Sequence, residues 1–284
     1  MSAVVPNYNA RAYLLDCIRS LRADGVDEII VVDNASADGS LEAVATLDPD
    51  VERLPTGGNL GFGAAANRGL AVAGGEYVAV LNADVVVESG TTKALVDALD
   101  RDPGLGAVAP RVDNPDGTLY PSVRAFPAMS DAVGHAFLGF VAPHNRFSRR
   151  YKMLDWDHSA DMDVDWASGT YILLRRAALG DLAHFDEAYF MYVEDVDLCW
   201  RIREAGWRVG YEPAGRVVHA VGASSELAPY RMILAHHRSL LRFSVRTARG
   251  RRRLLLPLVA GGLALRTVLA WLQRAYRGRP HAAP

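Results

Sequence analysis

Two carboxylates stand where a carboxylate is costly, and both invite a chemical reading. Asp84 lies inside Val78-Ala-Val-Leu-Asn-Ala-Asp-Val-Val-Val87, a valine-rich run that reads as one strand buried on both faces. An unpaired charge there is strongly unfavourable, so Asp84 calls for a cation; the other reading is a polar interruption that caps the next helix. Asn82 and Asp84 are two residues apart and share one face of an extended chain, which points both into a cleft at the strand's end. The second carboxylate belongs to Glu194-Asp-Val-Asp197, which opens a helix. A helix N-terminus favours anions, so a structural cluster is one reading. Tyr189-Phe-Met-Tyr192 just before it is unusually aromatic for a capping loop, and an apolar wall raises a carboxyl pKa toward general-base work. Adjacent Glu194 and Asp195 cannot share a face, so one would act on substrate while the other orients it.

His219 sits between Val218 and Ala220 and reads either as a core histidine or as a metal ligand beside Asp84. Gly57-Gly-Asn-Leu-Gly-Phe-Gly63 could cradle a phosphate at a helix start. Its spacing is not the dinucleotide fingerprint and it lacks the lysine of a P-loop, so a dehydrogenase is disfavoured. Asn67 and Arg68, one turn on, either meet a ligand or form the solvated face of that helix.

The elements that must position these groups follow a β-α-β-α rhythm. Ala3 to Asn9 is the end of a first strand, with Pro6 stopping its ladder. Arg11 to Ala23 is a helix with Leu14, Leu15, Ile18 and Leu21 on one face, and Gly25 ends it. Glu28 to Asn34 is a second buried strand, Ala35 to Ser40 a turn that caps a helix from Leu41, and Val51 to Leu54 a short third strand. Residues 110 to 163 lose any clear period and read as a long excursion carrying substrate contacts. Val164 to Leu174 reads as a strand, Glu194 to Gly206 as a helix, and Trp207–Tyr211 and Arg216–Val221 as two short strands. Such alternation predicts an α/β fold with a mostly parallel sheet and a ligand site at the carboxyl ends of its strands, where Asp33, the glycine loop and Asp84 converge.

The net charge of −2 hides an asymmetry. After Glu226 there are twelve arginines and no acidic residue, so an acidic body of −14 carries a basic tail of +12. Arg231, Arg238, Arg242, Arg246 and Arg249 form one stripe on a helix. Leu254 to Leu272 is apolar except for Arg266 and Thr267, while Pro257, Gly261 and Gly262 favour a helix lying on an anionic membrane surface over one that spans it. A helical pair packed on the body with a solvated basic face is the other reading. The acidic body disfavours nucleic acid. Cys17 and Cys199 lack metal spacing and read as reduced core thiols, which with no signal-like start fits a cytosolic location.

Val5-Pro-Asn-Tyr-Asn9, Val31 to Ser40, Gly58 to Gly69, Leu81-Asn-Ala-Asp84, Glu194-Asp-Val-Asp-Leu198 and His219 together resemble the inverting glycosyltransferases of family 2, in the family's order and over about residues 3–225. The resemblance implies a GT-A catalytic domain over 1–225 with a basic, membrane-associating helical segment over 226–284. The wording of the glycine loop and of Glu194–Leu198 is most similar to bacterial rhamnosyltransferases that use dTDP-L-rhamnose, some acting on polyprenyl-diphosphate-linked N-acetylglucosamine in cell-wall synthesis at the cytoplasmic face of the plasma membrane. It implies that Asp33 holds the nucleoside with Pro6, Tyr8 and Asn9 around the base, that Asn67, Arg68 and Asn82 contact the nucleotide, that Asp84 and His219 hold Mg²⁺ or Mn²⁺, and that Asp195 is the base with Glu194 beside it. Trp166, Ser168, Gly169 and Tyr192 are expected at the acceptor or sugar. Asn82 departs from the family's Asp-x-Asp pattern, which leaves its contact with metal or ribose open. A different donor sugar, such as galactofuranose, a hexose or an N-acetylhexosamine, and a non-catalytic nucleotide-sugar-binding protein are the alternatives.

Overall fold

The computed structural model describes residues 1–126, 142, 145–151, 153, 155–180, 184–220 and 229–277. The chain runs β1 (Ser2–Asn7), α1 (Arg11–Ala23), β2 (Glu28–Asp33), α2 (Ser40–Leu47), β3 (Glu52–Pro55), α3 (Phe62–Val72), β4 (Tyr77–Leu81), β5 (Val85–Val87), α4 (Thr91–Arg101) and β6 (Leu105–Asp113). It continues with β7 (Val123–Arg124), α5 (Arg146–Tyr151), β8 (Met162–Val164), β9 (Trp166–Ala167), β10 (Tyr171–Arg175), α6 (Arg176–Leu179), α7 (Glu194–Glu204), β11 (Arg208–His219), α8 (Pro229–Thr247), a 3₁₀ turn over Gly250–Leu255 and α9 (Leu256–Arg277).

The main sheet has the order β3-β2-β1-β4-β10-β6-β11-β5, with β8 also pairing β11. β3, β2, β1 and β4 are parallel, as are β6 and β11, while β10 runs against both β4 and β6. Consecutive residues of the first strands go to opposite faces: Ala3, Val5, Ile29, Val31 and Ala79 join the layer under α1, α2 and α4. Val4, Ile30, Val32, Val78 and Val80 join the layer under α3 and α7. Burial on both faces is why these strands are continuous apolar runs. α1 buries Leu14, Cys17, Ile18 and Leu21, each large aliphatic side chain contributing about 1.5–3 kcal/mol. Both cysteines are free and buried.

Four expectations are corrected. Pro6 does not stop its ladder: β1 pairs β2 through Pro6 to Asn7, while the ladder to β4 ends at Val4, before the missing N–H matters. The run Val78–Val87 is two strands, because Asn82-Ala83-Asp84 turns the chain from β4 to β5, on β11. Val164–Leu174 is broken into β8, β9 and β10. The two short strands at 207–221 are one strand, β11, with an irregularity between Glu212 and Arg216 where Pro213, Ala214 and Gly215 interrupt the pattern; Val221 lies outside the described residues. The excursion over 110–163 begins in β6 and holds β7 and α5; residues 127–141, 143, 144, 152 and 154 lie outside the described residues.

Candidate active site

The carboxyl ends of β1, β4 and β11 and the start of α7 face one cleft of about 780 Å³. On one side, Pro6, Asn7 and Tyr8 line the wall at the end of β1. Asp33, at the end of the neighbouring strand, is buried behind them. Its Oδ1 accepts from Asn7 Nδ2 at 2.8 Å and Ser36 Oγ at 2.6 Å, and its Oδ2 from Ser36 N at 2.9 Å. Asn7 Oδ1 is buried without a partner and is the acceptor that this arrangement leaves for a ligand. Asp33 therefore orients Asn7 rather than lining the cleft. Asn9 is likewise spent on a protein partner, its Oδ1 accepting from Ala37 N in the turn after β2 at 2.8 Å, with φ at 52°.

The turn after β4 builds the second group. Asn82 N donates to Thr170 O and Ala220 N donates to Asp84 O, so the turn is pinned between the start of β10 and the end of β11. His219 pairs Val85 in register, which brings its Nε2 to 3.1 Å from Asp84 Oδ1 and 3.3 Å from Asn82 Nδ2. Asn82 and Asp84 thus meet at a histidine from another strand instead of sharing a strand face. Tyr120 packs edge-on to His219 at 5.4 Å. Oxygen and nitrogen donors 3.1 Å apart are spaced as neighbouring ligands of an octahedral ion with bonds of about 2.1 Å. Among the described residues no third histidine, cysteine or carboxylate joins them. A hard divalent ion held by few protein ligands and completed by phosphate oxygens and water fits that donor set.

Across the cleft, α7 presents Asp195. Its Oδ2 accepts from Gly169 N at 2.9 Å and its Oδ1 from Val196 N at 2.8 Å. Burial raises its pKa above the ordinary aspartate range; the two N–H donors and Arg124 oppose this without reversing it. Glu194 is more deeply buried, its Oε2 has no partner, and burial first and Asp195 second push its pKa well up. The helix is entered through Tyr192 at φ 66° and Val193 at φ 72°. A β-branched residue in that region is strained, and such strain persists only where the surroundings enforce it. The enforcement comes from the glycine loop. Gly61 has φ 88°, a Cβ there would lie 2.0 Å from Phe190 O, and Phe62 N donates to that same oxygen at 3.2 Å. The loop therefore clamps the segment that leads into Asp195 while its Asn59, Gly61 and Phe62 line the cleft, and Asn34 locks it from the other side through Gly61 O and Leu60 N.

The cleft brings together Pro6, Tyr8, Asn82, Asp84, Trp166, Ser168, Gly169, Tyr192, Glu194, Asp195 and His219 of the expected residues. It does not include Asn9, Asp33, Asn67 or Arg68. Asn67 is buried and closes a structural pair with Phe185, accepting from its N at 2.8 Å and donating to its O at 3.0 Å, while Arg68 is exposed. Sequence reasoning missed Tyr120 and Arg124, which carry no periodic signal. It also missed Met232, His236, Leu240 and Phe243 of α8, whose steps of four, four and three mark one helix face.

Known proteins agree with this geometry. A family model described as glycosyl transferase family 2 matches residues 2–182. The N-acetylglucosaminyl-diphospho-decaprenol L-rhamnosyltransferase of Mycobacterium tuberculosis is 38% identical over 231 residues, 78% of this chain and 75% of its own. Rhamnosyltransferase WbbL of Escherichia coli is 25% identical over 226 residues, covering 76% of this chain and 81% of that protein. Among solved structures, mannosyltransferase PcManGT of Pyrobaculum calidifontis, in complex with GDP-Man and Mn²⁺, has a TM-score of 0.58 at 18% identity over 98% of this chain and 75% of that one, a likeness of fold. With its mixed, mostly parallel sheet between helical layers and Asp84, His219 and Asp195 facing one cleft, the chain belongs to glycosyl transferase family 2 and has the GT-A fold.

Proposed function

We propose that the chain transfers L-rhamnose, with inversion, from dTDP-L-rhamnose to N-acetylglucosamine carried on a polyprenyl diphosphate, at the cytoplasmic surface of the plasma membrane in cell-wall synthesis. The observation that carries this reading is Asp195 on one wall of the cleft and the Asp84–His219 pair on another. The activity named for the 38% identical mycobacterial protein supports the sugar and the acceptor.

In this mechanism Asp195 accepts the proton of the acceptor hydroxyl as that oxygen attacks the anomeric carbon, and the bond from that carbon to the nucleoside diphosphate breaks on the opposite side. Its two N–H contacts aim the carboxylate while leaving lone pairs for the incoming proton. Asp84 and His219 would hold Mg²⁺ or Mn²⁺, which supplies charge neutralisation for the departing diphosphate. Asn7 offers its free carbonyl oxygen to a donor on the base, and Asp33 keeps that amide turned. Trp166 and Ser168 line the wall beside Gly169 and bound the sugar or the acceptor.

Residues 1–225 act as the catalytic domain and 226–284 as the attachment segment. By length and composition, Gly250–Arg274 could cross a membrane. We read it as lying on the surface, because Thr267 of α9 is buried against His237 of α8 at 2.7 Å and α8 is tied by ion pairs to the body. Incubation with dTDP-L-rhamnose, a divalent ion and an N-acetylglucosaminyl-diphosphoryl lipid should give a product heavier by one deoxyhexose in mass spectrometry. Transfer from UDP-sugars alone would overturn the donor assignment, and equal turnover by Asp195→Asn would overturn the base.

A further inference from the structure

The cleft has a wall outside the region that the family model matches. α8 closes it with Met232, His236, Leu240 and Phe243 on one face, and Arg231 lies beside them at the mouth. This wall is next to the base: His236 packs edge-on to Tyr192 at 5.3 Å, and Ser239 Oγ donates to Met191 O at 3.1 Å, both in the segment that leads into Asp195. It is also next to the apolar surface of α9. Trp271 donates through its ring N–H to Tyr230 O at 3.3 Å, and the two half-exposed rings meet at 6.3 Å, one residue from Arg231. An amphipathic aromatic pair of this kind suits the headgroup level of a bilayer. Arg231 is exposed and, among the described residues, has no ion-pair partner, unlike Arg242 and Arg246 of the same helix.

We propose that this α8 wall is the subsite for the prenyl diphosphate of the acceptor, with Arg231 binding the diphosphate and the stripe Met232, His236, Leu240 and Phe243 receiving the first isoprene units. The inference rests on the reading that the acceptor is lipid-linked. Charge and shape select the occupant. The mouth offers a cation, the stripe behind it is largely apolar, and the base lies further in where the sugar hydroxyl must arrive. Leu265, Leu269 and Leu272 of α9, the helix packed on α8, are exposed.

The test uses the full chain, with its nucleotide site filled by saturating dTDP and Mn²⁺ and farnesyl diphosphate as the probe, read by isothermal titration. Farnesyl diphosphate should bind without displacing dTDP. Arg231→Ala should weaken it about tenfold while leaving farnesol binding and the melting temperature unchanged, as loss of one charge-assisted contact predicts. Leu240→Asn should weaken farnesol and farnesyl diphosphate alike. The proposal is overturned if farnesyl diphosphate competes with dTDP, if Arg231→Ala binds it as the unaltered chain does, or if dihexanoyl phosphatidic acid binds as tightly and loses as much in Arg231→Ala. No sugar is transferred in this measurement, so a wrong donor sugar would show in product analysis and leave this result readable.

Discussion

The role proposed for Asp195 combines two demands that oppose each other. A base must be ionised to work, and burial in the cleft disfavours the ion; the backbone N–H groups of Gly169 and Val196 hold the carboxylate in place without cancelling that penalty. Because its pKa is raised, the rate should fall, as pH decreases, at a higher pH than an ordinary aspartate near ~3.9 would give. A pH profile of kcat/KM checks this, and Asp195→Asn should lower kcat by about 10²–10⁴-fold with little change in donor KM. Glu194 gives a prediction for stability. Its folded pKa is raised, so its neutral form favours the fold: that contribution is complete below the unfolded value of about 4.3 and is lost as pH rises through the folded value. Glu194→Gln keeps the neutral shape, so its melting temperature should match that of the unaltered chain near about pH 4 and exceed it near about pH 8. Asp84→Ala leaves His219 alone at the metal position, and a divalent ion should no longer enhance the thermal shift given by dTDP.

The helix that carries Asp195 is held at both ends by neighbours. At its start, Gly61 lets the glycine loop pass within reach of Phe190 O, which fixes the strained entry through Tyr192 and Val193. Gly61→Ala must move one segment off the other. It should cost about 1–3 kcal/mol in denaturant unfolding and reduce kcat more than it raises the donor KM. One turn along, fully buried Asp197 accepts from Arg201 Nε at 2.8 Å, lies 3.2 Å from Arg246 of α8 and receives the Tyr189 hydroxyl at 3.2 Å. Removing the shared partner takes the carboxylate from part-buried Arg201, which keeps the His184 carbonyl, while Arg246 keeps Asp186, so Asp197→Ala should destabilise by about 1–3 kcal/mol. Arg246→Ala leaves the Arg201 pair intact and removes a part-exposed group, so its loss should stay below about 1 kcal/mol. The third acidic position of the Glu194–Asp197 motif is thus a tie between the base helix and the C-terminal helix.

The molecule as a whole joins an acidic body to a basic tail, and the joint consumes part of the tail's charge. Arg242 and Arg246 pair with Asp186, Arg246 also with Asp197, and Arg249 with Glu204. The basic stripe expected to face lipid is therefore partly turned inward, a correction with a direct physical cause: the nearest anions are on the protein itself. What remains outward is exposed Arg231, Arg238 and Arg251 to Arg253 beside an apolar surface. Leu254, Leu258, Leu265, Leu269 and Leu272 are exposed along the 3₁₀ turn and α9, and Pro257 in the first turn of α9 does not interrupt it. Binding to anionic vesicles should accordingly survive salt that screens surface charge, whereas Leu258→Glu with Leu265→Glu should release the chain in a sedimentation assay.

The residues alone determined the α/β alternation, the α1 face, a cleft at the carboxyl ends of the strands with Asp84 and the glycine loop on its wall, and the position of Asp195 at the start of a helix. Each of these is local: a periodicity of two or 3.6, a helix start, a turn signal, all readable within a dozen or so residues. Only the tertiary structure decided that Asp84 meets His219, because that depends on which strand β5 pairs and in what register. The same dependence explains why Asp33 and Asn67 bond to protein neighbours, why the glycine loop touches Phe190, and why α8 becomes a wall of the cleft. A polar side chain is equally compatible with a ligand or a protein partner until the chain is closed, and long-range packing alone determines which one reaches it.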